Sequence, residues 1–450
     1  MHPRHRVLAT VALLIAATGT AQAAKVVQVE IHGLDEAKTL NVHGALSLVE
    51  TIGKEVSPRR LAYLVREADD EAREALEPFG YYSPTIDVTR VGDNSALTVN
   101  INVTLGEPVR VRREDVAIIG EGSEDRYLKE DLAAFKPKTG DVFDHALYEA
   151  SKTKITRRLA ERGYFDADFT SRRVEVTRAQ DAADIDLVWT SGGRYDMGPI
   201  TIVQTPDHII RDSLLDKLVY WDQGSYYHQG KLDRFRESLA RLDYFSSIEI
   251  EPLPEQAVDN EVPVTVTLTP AKRTVYTAGL SFGTDSGAGV RLGMERRYVN
   301  DRGHKALGQI DWLETRKTAT VQYRIPAFAW LDGWYTFSAQ YYDEQSDYMD
   351  MRKVELVASR SGQVNRRLNV SASLHALRER WAYAVFEGGA DGPDPGSEEA
   401  NNANDDGDPV YATQYSYATF LYPALRAEYV DADDRIFPMH GVGATVELRG

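Results

Sequence analysis

The chain contains no cysteine among its 450 residues, which excludes a disulfide scaffold and any metal site built from paired cysteines. It is also short of positive charge. Lysine and arginine number 52 against 69 aspartates and glutamates, so the formal net charge is -17. A chain this acidic repels a polyanion, and we therefore expect no nucleic-acid partner.

Motifs that carry enzymatic chemistry are missing as well. The sequence has no Gly-x-Ser-x-Gly, no phosphate-binding loop and no His-Glu-x-x-His. Residues 284–287 spell Thr-Asp-Ser-Gly, which is similar to a serine-protease fragment, but no histidine and aspartate arrangement around them indicates a triad. We therefore predict that the protein is not an enzyme and has no catalytic residue and no cofactor.

Residues 402–413 partly fit a calcium-binding loop. Asn402, Asn404, Asp406 and Gly407 occupy positions where an EF-hand places its ligands and its turn glycine. However, the first position of that loop lacks aspartate, and the twelfth position is Thr413 instead of glutamate. A solvated loop is the favoured interpretation, and we predict no metal site.

The N-terminal residues 1–23 predict a secretory signal peptide. Residues 2–6 are basic, residues 7–17 are apolar, and Ala21-Gln22-Ala23 has the small-x-small form of a cleavage site. The alternative is a membrane anchor, which is disfavoured because the apolar run is too short to span a bilayer. We expect the mature chain to begin near Ala24 and to lie outside the cytoplasm.

A helix that ends in an aromatic pair is predicted three times, in residues 57–91, 144–176 and 230–250. The unit recurs about every 80 residues, which is the size of a small domain. A glycine suits the left-handed position after a helix end, and Asp243 takes that place in the third copy. We assign the signature residues of this repeat to the domain cores and not to a ligand site: Gly80, Tyr81, Gly163, Tyr164, Phe165, Tyr244 and Phe245.

Each unit is predicted to contain a strand, two helices and two further strands. In the first unit the predicted elements are strand 25–31, helices 41–50 and 57–76, and the hairpin strands 85–90 and 96–104. Return strands are predicted at 185–190 and 262–268 in the other two units. Such units resemble polypeptide-transport-associated (POTRA) domains. The predicted domain boundaries are 24–107, 108–192 and 193–270.

From residue 271 to residue 450 the pattern changes from helical to alternating. Val290, Leu292 and Met294, for example, alternate with Arg291, Gly293 and Glu295. Segments of about ten residues with one apolar and one polar face predict the tilted strands of a transmembrane β-barrel. A soluble sandwich is the alternative, and it is disfavoured by the uniform strand length, the aromatic residues and the signal peptide. We count about nine strands, the last at 442–448.

Connection lengths predict the orientation of these strands. If the first strand leads outward, the inner turns are 300–303, 326–333, 361–366 and 431–441. The outer connections then include 343–350 and the long tract 387–409. Long connections outside and short ones inside are typical of outer-membrane barrels.

The layout of three POTRA-like repeats ahead of a barrel resembles the translocation and assembly module (TamA) family of the outer-membrane protein assembly superfamily, which includes the bacterial surface antigen domain. The resemblance covers nearly the whole mature chain. It rests on the three helix ends and on residues 277–285, 300–304 and 433–438, the last ahead of Gly441. Larger assembly relatives carry five such domains and two-partner secretion transporters carry two.

The resemblance implies an outer-membrane protein whose POTRA-like arm lies in the periplasm. It implies insertion and folding of client outer-membrane proteins, autotransporters among them, in contact with outer-membrane lipid. It also implies a TamB-like partner that is anchored in the inner membrane and spans the periplasm. A two-partner-type polypeptide secretion pore is the alternative, and a diffusion porin is disfavoured because a porin needs no soluble domains in front.

One departure from the family pattern is serious. The family's barrel has sixteen strands and a late Arg-Gly-Tyr motif, and this sequence has neither that motif nor a terminal aromatic strand. Unpaired backbone groups in hydrocarbon are costly, so an open sheet of nine strands does not suit a bilayer. The sequence thus predicts a barrel that is cut short, with insertase activity expected only from a complete version.

The first predicted barrel strand, 274–282, is the candidate lateral gate. Its lipid-facing side chains are small or aromatic, while Gly279 on the other face weakens a strand interior. A weak seam would offer unpaired backbone groups to a client strand by β-augmentation. The alternative is that Gly279 only allows a bend for closure. The candidate gate residues are Thr274, Tyr276, Ala278, Gly279, Leu280 and Phe282.

Overall fold

The computed structural model describes residues 24–93, 95–284, 286–329, 331–346, 349–365, 367–383, 415–432 and 439–450. The predicted signal peptide, the calcium-loop candidate at 402–413 and the segment 433–438 lie outside the described residues. Two compact units are present. The first extends to residue 160 and includes 164–194, and the second comprises 161–163 and everything from Tyr195 onward.

The first domain packs two helices against a four-stranded sheet. The sheet order is β2-β1-β4-β3, with β1 parallel to β4 and the other pairs antiparallel. The core side of β4 consists of Leu97, Val99, Ile101 and Val103, and α2 covers that face. The elements are β1 Ala24–His32, α1 Glu36–Ala45, β2 Glu55–Val56, α2 Pro58–Leu76, β3 Thr85–Asp93 and β4 Ala96–Thr104.

Local sequence signals explain both helices of this domain. Ser57 caps α2, because its side chain accepts a hydrogen bond from the Arg60 amide at 3.3 Å, and Pro58 follows at the first helical position. The predicted main helix is therefore confirmed. The predicted short helix is present, but its bounds of 41–50 were wrong: α1 begins at Glu36, because Asp35 accepts from the Lys38 amide at 3.0 Å and ends the preceding extended chain.

The second and third domains repeat the pattern with three-stranded sheets. Their orders are β5-β7-β6 and β8-β10-β9, and in each the last strand lies in the middle, parallel to the first. The elements of the second domain are β5 Arg110–Ile119, α3 Arg126–Ala133, α4 His145–Glu161, β6 Asp168–Thr177 and β7 Ala182–Thr190. Those of the third domain are β8 Asp196–Gln204, α5 Asp212–Leu215, α6 Gln229–Leu242, β9 Phe245–Pro252 and β10 Glu261–Pro270.

The helices of these domains bury one stripe each. Leu232, Phe235, Leu239 and Leu242 of α6 are all at most 1% exposed, as the helical spacing predicts. Within the described ranges, no helix combines the length and the apolar character needed to cross a membrane.

Beyond residue 273 the chain forms one large antiparallel sheet. Its strand order is the chain order from β11 to β19, so every strand pairs with its sequence neighbours. Among the described residues the two end strands, β11 and β19, pair on one side only. The strands are β11 Thr274–Gly283, β12 Gly287–Arg296, β13 Lys305–Leu313, β14 Arg316–Pro326, β15 Leu331–Gln345, β16 Met349–Gln363, β17 Leu368–Tyr383, β18 Ser416–Ala432 and β19 Gly441–Arg449.

The strand count agrees with the expectation, but two details of the prediction were wrong. Strand lengths are not uniform, because β15 to β18 have 15 to 17 residues and the other five have 9 to 11. Three of the outer connections, 284–286, 314–315 and 346–348, are short. Strands β15 to β18 remain paired along their whole length, so they include residues that were expected in loops.

Candidate functional site: a two-faced sheet with a free edge

One face of the large sheet is apolar along its whole width. Residues that stand opposite one another in an antiparallel ladder point to the same face, so the register identifies rows of neighbours. One row crosses eight strands without a polar side chain other than a tyrosine hydroxyl. Its members are Tyr276, Met294, Gly308, Val321, Ala339, Leu356, Ala376 and Leu421.

Charged side chains bound this apolar face at both ends. On β16 the apolar-face positions run from Arg352 to Arg360, with Val354, Leu356 and Ala358 between them. Arg352 pairs with Asp343 on β15 at 2.9 Å, and Arg360 lies 5.0 Å from the ring centroid of Tyr335. Eight residues of strand span about 27 Å, and tilting shortens that height. The band therefore matches the hydrocarbon thickness that a barrel wall must cover.

The opposite face of the sheet is polar. The adjacent row contains Thr277, Gly293, Gln309, Thr320, Gln340 and Glu355, in chain order across six strands. Side chains on this face bond to one another: Gln340 donates to Thr320 Oγ1 at 3.2 Å, and Gln309 donates to Asp311 on the same strand at 2.8 Å. A sheet with one apolar and one hydrogen-bonded polar face suits a wall between lipid and water.

Three side chains on the polar face form a row of hydrogen bonds that the sequence analysis did not predict. Ser373 Oγ lies 2.8 Å from His375 Nε2, and His375 Nδ1 lies 2.8 Å from Glu355 Oε1. The order matches a serine–histidine–carboxylate triad, and the Ser-x-His spacing on one strand was the available signal. However, the backbone amides around Ser373 belong to the ladder with β16 and β18, so they provide no oxyanion hole. We interpret these hydrogen bonds between Ser373, His375 and Glu355 as a structural network.

All six predicted gate residues lie on β11, the edge strand. Tyr276, Leu280 and Phe282 are 76%, 88% and 82% exposed and share the apolar face with Ala278. Gly279 lies on the polar face opposite Arg291, and a Cβ atom added there would find no atom within 4 Å. Close packing therefore does not require glycine at this position.

The signature residues of the repeat lie where each helix meets its sheet. Gly80 and Gly163 both have φ of 87°, and Asp243 takes the same left-handed position with φ of 57°. Tyr164, Tyr244 and Phe245 are buried, whereas Tyr81 and Phe165 are half-buried.

The Gly80 end also joins the first domain to the second. The Val109 amide donates to the Gly80 carbonyl at 2.8 Å, and Tyr82 Oη lies 2.6 Å from His145 Nε2. Burial raises the pKa of Tyr82 to about 12 and lowers the pKa of His145. A neutral phenol can thus donate to a neutral imidazole. We call this contact the arm joint.

In the third domain, Tyr244 reaches the turn between β12 and β13, residues 297–304. Its hydroxyl donates to the carbonyl oxygen of Gly303, which has φ of 71°. Asp243 pairs with Arg297 at 2.8 Å, and the Arg211 amide donates to the Asp301 carbonyl at 3.0 Å. We call this set of contacts the turn clamp.

The turn itself is preorganised for that contact. Asn300 accepts hydrogen bonds through its side chain from the amides of Arg302 and His304, at 3.1 and 3.3 Å. The side chain of Arg211 bonds to that of Asp301 and lowers the pKa of this carboxyl group. The segment 300–304 that carried part of the family resemblance is therefore part of the contact between the third domain and the sheet.

Cofactor and metal ligands were not expected, and the described residues contain no group of three or more histidines and carboxylates arranged to hold a metal ion. The site therefore consists of two surfaces and one edge.

Comparison with known families supports this organisation. The POTRA domain described as TamA domain 1 matches residues 28–105. The POTRA family described as surface antigen variable number repeat matches residues 111–190 and 195–271. Together these matches cover more than half of the chain.

Solved structures give a second comparison. BamA from Haemophilus ducreyi lacking POTRA domains 1–3 is 13% identical with a TM-score of 0.52, and the alignment covers 75% of this chain and 63% of that one. POTRA domains 3–5 of Haemophilus influenzae BamA are 20% identical, with a TM-score of 0.32 and coverage of 55% and 96%. CdiB from Escherichia coli is 13% identical, with a TM-score of 0.33 and coverage of 82% and 63%.

At these identities, only the likeness to Haemophilus ducreyi BamA, with its TM-score above 0.5, carries weight, and it shows a shared fold. This chain spans 63% of the length of that BamA chain. With three matched POTRA domains followed by a large antiparallel sheet like that of a BamA barrel, the chain belongs to the TamA/Omp85-type proteins.

Proposed function

We propose that this protein, with its barrel complete, acts in the outer membrane, where it inserts and folds other outer-membrane proteins, autotransporters among them. The observation that carries the proposal is the free edge of β11. This strand follows β10 of the third domain after three residues, pairs only with β12 among the described residues, and leaves its side chains exposed.

An edge strand offers alternate amide and carbonyl groups to another strand. A client strand that adds there gains main-chain hydrogen bonds that do not depend on its side chains, which suits a machine with many clients. The same addition continues the apolar row through Tyr276, so the client's apolar side chains would enter lipid as the strand pairs. The POTRA arm would lie in the periplasm and meet a TamB-like partner anchored in the inner membrane.

Disulfide cross-linking tests this proposal against a clean background, because the chain has no cysteine. Single cysteines replace Tyr276, Ala278 or Leu280 on β11, and the client carries one cysteine in its last strand and is stalled during assembly. Matched controls are Ala319→Cys and Ala339→Cys, which lie on the same apolar face but on strands with two partners. We expect cross-links at β11 and none at the controls.

Equal yields at β11 and at the two control strands would refute edge pairing. So would the absence of a β11 cross-link in a cell that assembles the client normally.

A polypeptide secretion pore is the second candidate function, and the polar face favours it specifically. In a closed wall, the hydrogen-bonded row through Gln309, Thr320 and Gln340 would line an aqueous lumen. A secreted polypeptide would then cross-link to cysteines at Gln309 or Gln340 and not to Ala278. Adding Gln309→Cys and Gln340→Cys to the panel of variants thus separates insertion from secretion.

A further inference from the structure

Four basic side chains lie on the apolar face of the large sheet, at the end away from the turn clamp. One row of the ladder crosses six strands there, from β13 to β18. Its members are Trp312, Lys317, Asp343, Arg352, Arg380 and Tyr417. Arg378 is two residues from Arg380 on β17, so it shares this face. We call Lys317, Arg352, Arg378 and Arg380 the basic rim.

The basic rim stands at the boundary of the apolar band. Its row is four residues from the apolar row through Gly308 and Leu356, and four residues of strand span about 13 Å. Trp312 and Tyr417, at the two ends of the row, are 60% and 65% exposed. Exposed aromatic side chains at such a boundary are typical of the level where hydrocarbon meets lipid headgroups. In a membrane wall, the basic rim would thus face lipid headgroups.

Acidic side chains offset only part of this positive charge. At this end of the apolar face, β14 to β18 carry two carboxylates, Asp343 and Asp350. Asp343 pairs with Arg352 at 2.9 Å, so the charge of Arg352 is already matched. Asp350 accepts a hydrogen bond from the Tyr415 hydroxyl at 2.6 Å. The basic rim therefore exceeds its carboxylate neighbours by two charges.

Arg378 and Arg380 supply charge that no carboxylate matches. Neither arginine has an ion-pair partner in the part of the chain that the structure describes. Arg380 stands directly opposite Arg352, and like charges in that arrangement destabilise a strand pair. The Arg380 guanidinium lies 4.5 Å from the Tyr415 ring centroid, which limits the orientations it can take. Its Nε atom is enclosed and has no hydrogen-bond partner among the described residues.

A lipid phosphate is the anion that suits this position. Guanidinium groups bind phosphate oxygens through paired, charge-assisted N–H donors. Basic clusters at a membrane boundary attract anionic lipids, and the apolar face below the rim leaves the acyl chains of such a lipid in hydrocarbon. An anion beside Arg380 would also offset its repulsion with Arg352.

We infer that the basic rim binds the phosphate groups of an anionic lipid in the outer leaflet of the membrane, through Arg378 and Arg380. The inference rests on the proposed function for the membrane and the leaflet, since the third domain and its turn clamp then mark the periplasmic end. It gives the expected contact with outer-membrane lipid a defined position. The site lies on β16 to β18 and leaves the β11 edge uncovered, so lipid binding and edge pairing do not compete.

Native mass spectrometry of the full chain in micelles of a neutral detergent tests the inference, with diphosphoryl lipid A as the probe. Lipid A from which both phosphates have been removed keeps the acyl chains and the sugars. We expect the diphosphoryl form to bind and the dephosphorylated form to fail. Arg378→Gln and Arg380→Gln should each weaken binding about tenfold or more, because each removes charge-assisted hydrogen bonds.

Lys353→Gln is the matched control. Lys353 is next to Arg352 on β16 but lies on the polar face, 4.8 Å from the ring centroid of Tyr342. The control removes the same charge at the same height and should leave the affinity unchanged. Arg378→Lys keeps the charge but loses the paired donors, so its affinity should fall between those of the wild type and Arg378→Gln. Circular dichroism of each variant identifies a loss of fold.

Three outcomes would overturn the inference: equal binding of the dephosphorylated lipid, unchanged affinity in both glutamine variants, or displacement of lipid A by inorganic phosphate at the same concentration of charge. The third would identify a site for free phosphate.

This assay is independent of the β11 cross-links. If the cross-links fail while lipid A binds, the proposed insertion of clients falls and the lipid site stands. If lipid A does not bind while the cross-links form, only the lipid site falls.

Discussion

Replacing Gly303 with alanine should open the turn clamp between the third domain and the sheet. Gly303 has φ of 71°, where an L-residue is strained by about 1 kcal/mol. A Cβ atom there would lie 2.7 Å from Tyr244 Oη and 2.9 Å from Leu214 Cδ2. Overpacking of this kind costs about 1–3 kcal/mol, because the Tyr244 ring is fully buried.

Gly224→Ala is the matched control in the same domain. Its φ of 76° imposes the same backbone strain, but the nearest atom to an added Cβ is Glu261 Oε1 at 3.4 Å, on a side chain that can move. The control should therefore lose about 1 kcal/mol and the Gly303 variant about 2–4 kcal/mol. The difference isolates the contact with Tyr244.

Hydrogen exchange of the full chain, followed by mass spectrometry, measures this difference locally. Peptides that cover 297–304 and the end of α6 should exchange roughly 5- to 150-fold faster in Gly303→Ala than in Gly224→Ala, while peptides of the first domain stay unchanged. Equal acceleration in the two variants would show that the clamp contributes nothing beyond backbone strain, and the reasoning would be refuted.

Two predictions concern the first unit. Asp131 is 6% exposed and pairs with Lys154 at 2.8 Å and with Arg158 at 2.9 Å. Asp131→Asn should therefore lower the free energy of unfolding of the second domain by about 2–3 kcal/mol in urea titrations. The control Glu130→Gln, at an exposed residue, should lower it by less than about 0.5 kcal/mol. Burial lowers the pKa of His145 and outweighs Glu77, Asp144 and Glu149, whose negative charges raise it. As the pH falls, the histidine is therefore protonated in the unfolded chain before it is protonated in the folded one. The free energy of unfolding should thus decrease as the pH drops below about 6.5. Urea titrations at pH 7.5 and 5.5 check this, and a His145→Gln variant with the same pH dependence would contradict it.

Periodic features of the fold could be predicted from the sequence, because they depend on nearest neighbours. The α2 stripe with its Ser57 cap, the α6 stripe and the left-handed Asp243 follow from local spacing and capping chemistry. The nine strands follow from alternation over each segment. The start of α1 was missed because the Asp35 cap was not recognised as a helix signal.

The contacts that build the site could not be predicted in the same way. The turn clamp joins Tyr244 to Gly303, 59 residues away, and Asp243 to Arg297, 54 residues away. Such proximity depends on register and domain packing, which alternation alone leaves undetermined. The Ser373 and His375 pair was within reach, since both occupy the polar phase of one strand.

Each strand of the large sheet pairs with the strands next to it in the sequence, and this arrangement affects how the sheet can form. Sequential pairing closes only short loops, so each strand from β12 to β17 can join the growing sheet at little cost in chain entropy. The pairing of β17 with β18 differs, because the 32 residues 384–415 separate them, whereas the other connections of this sheet have two to eight residues. Loop-closure entropy makes that step about 2 kcal/mol less favourable. Growth of the sheet should therefore pause after β17, and the ladder from Leu368 to Trp381 would be the temporary edge at which a misplaced strand could pair.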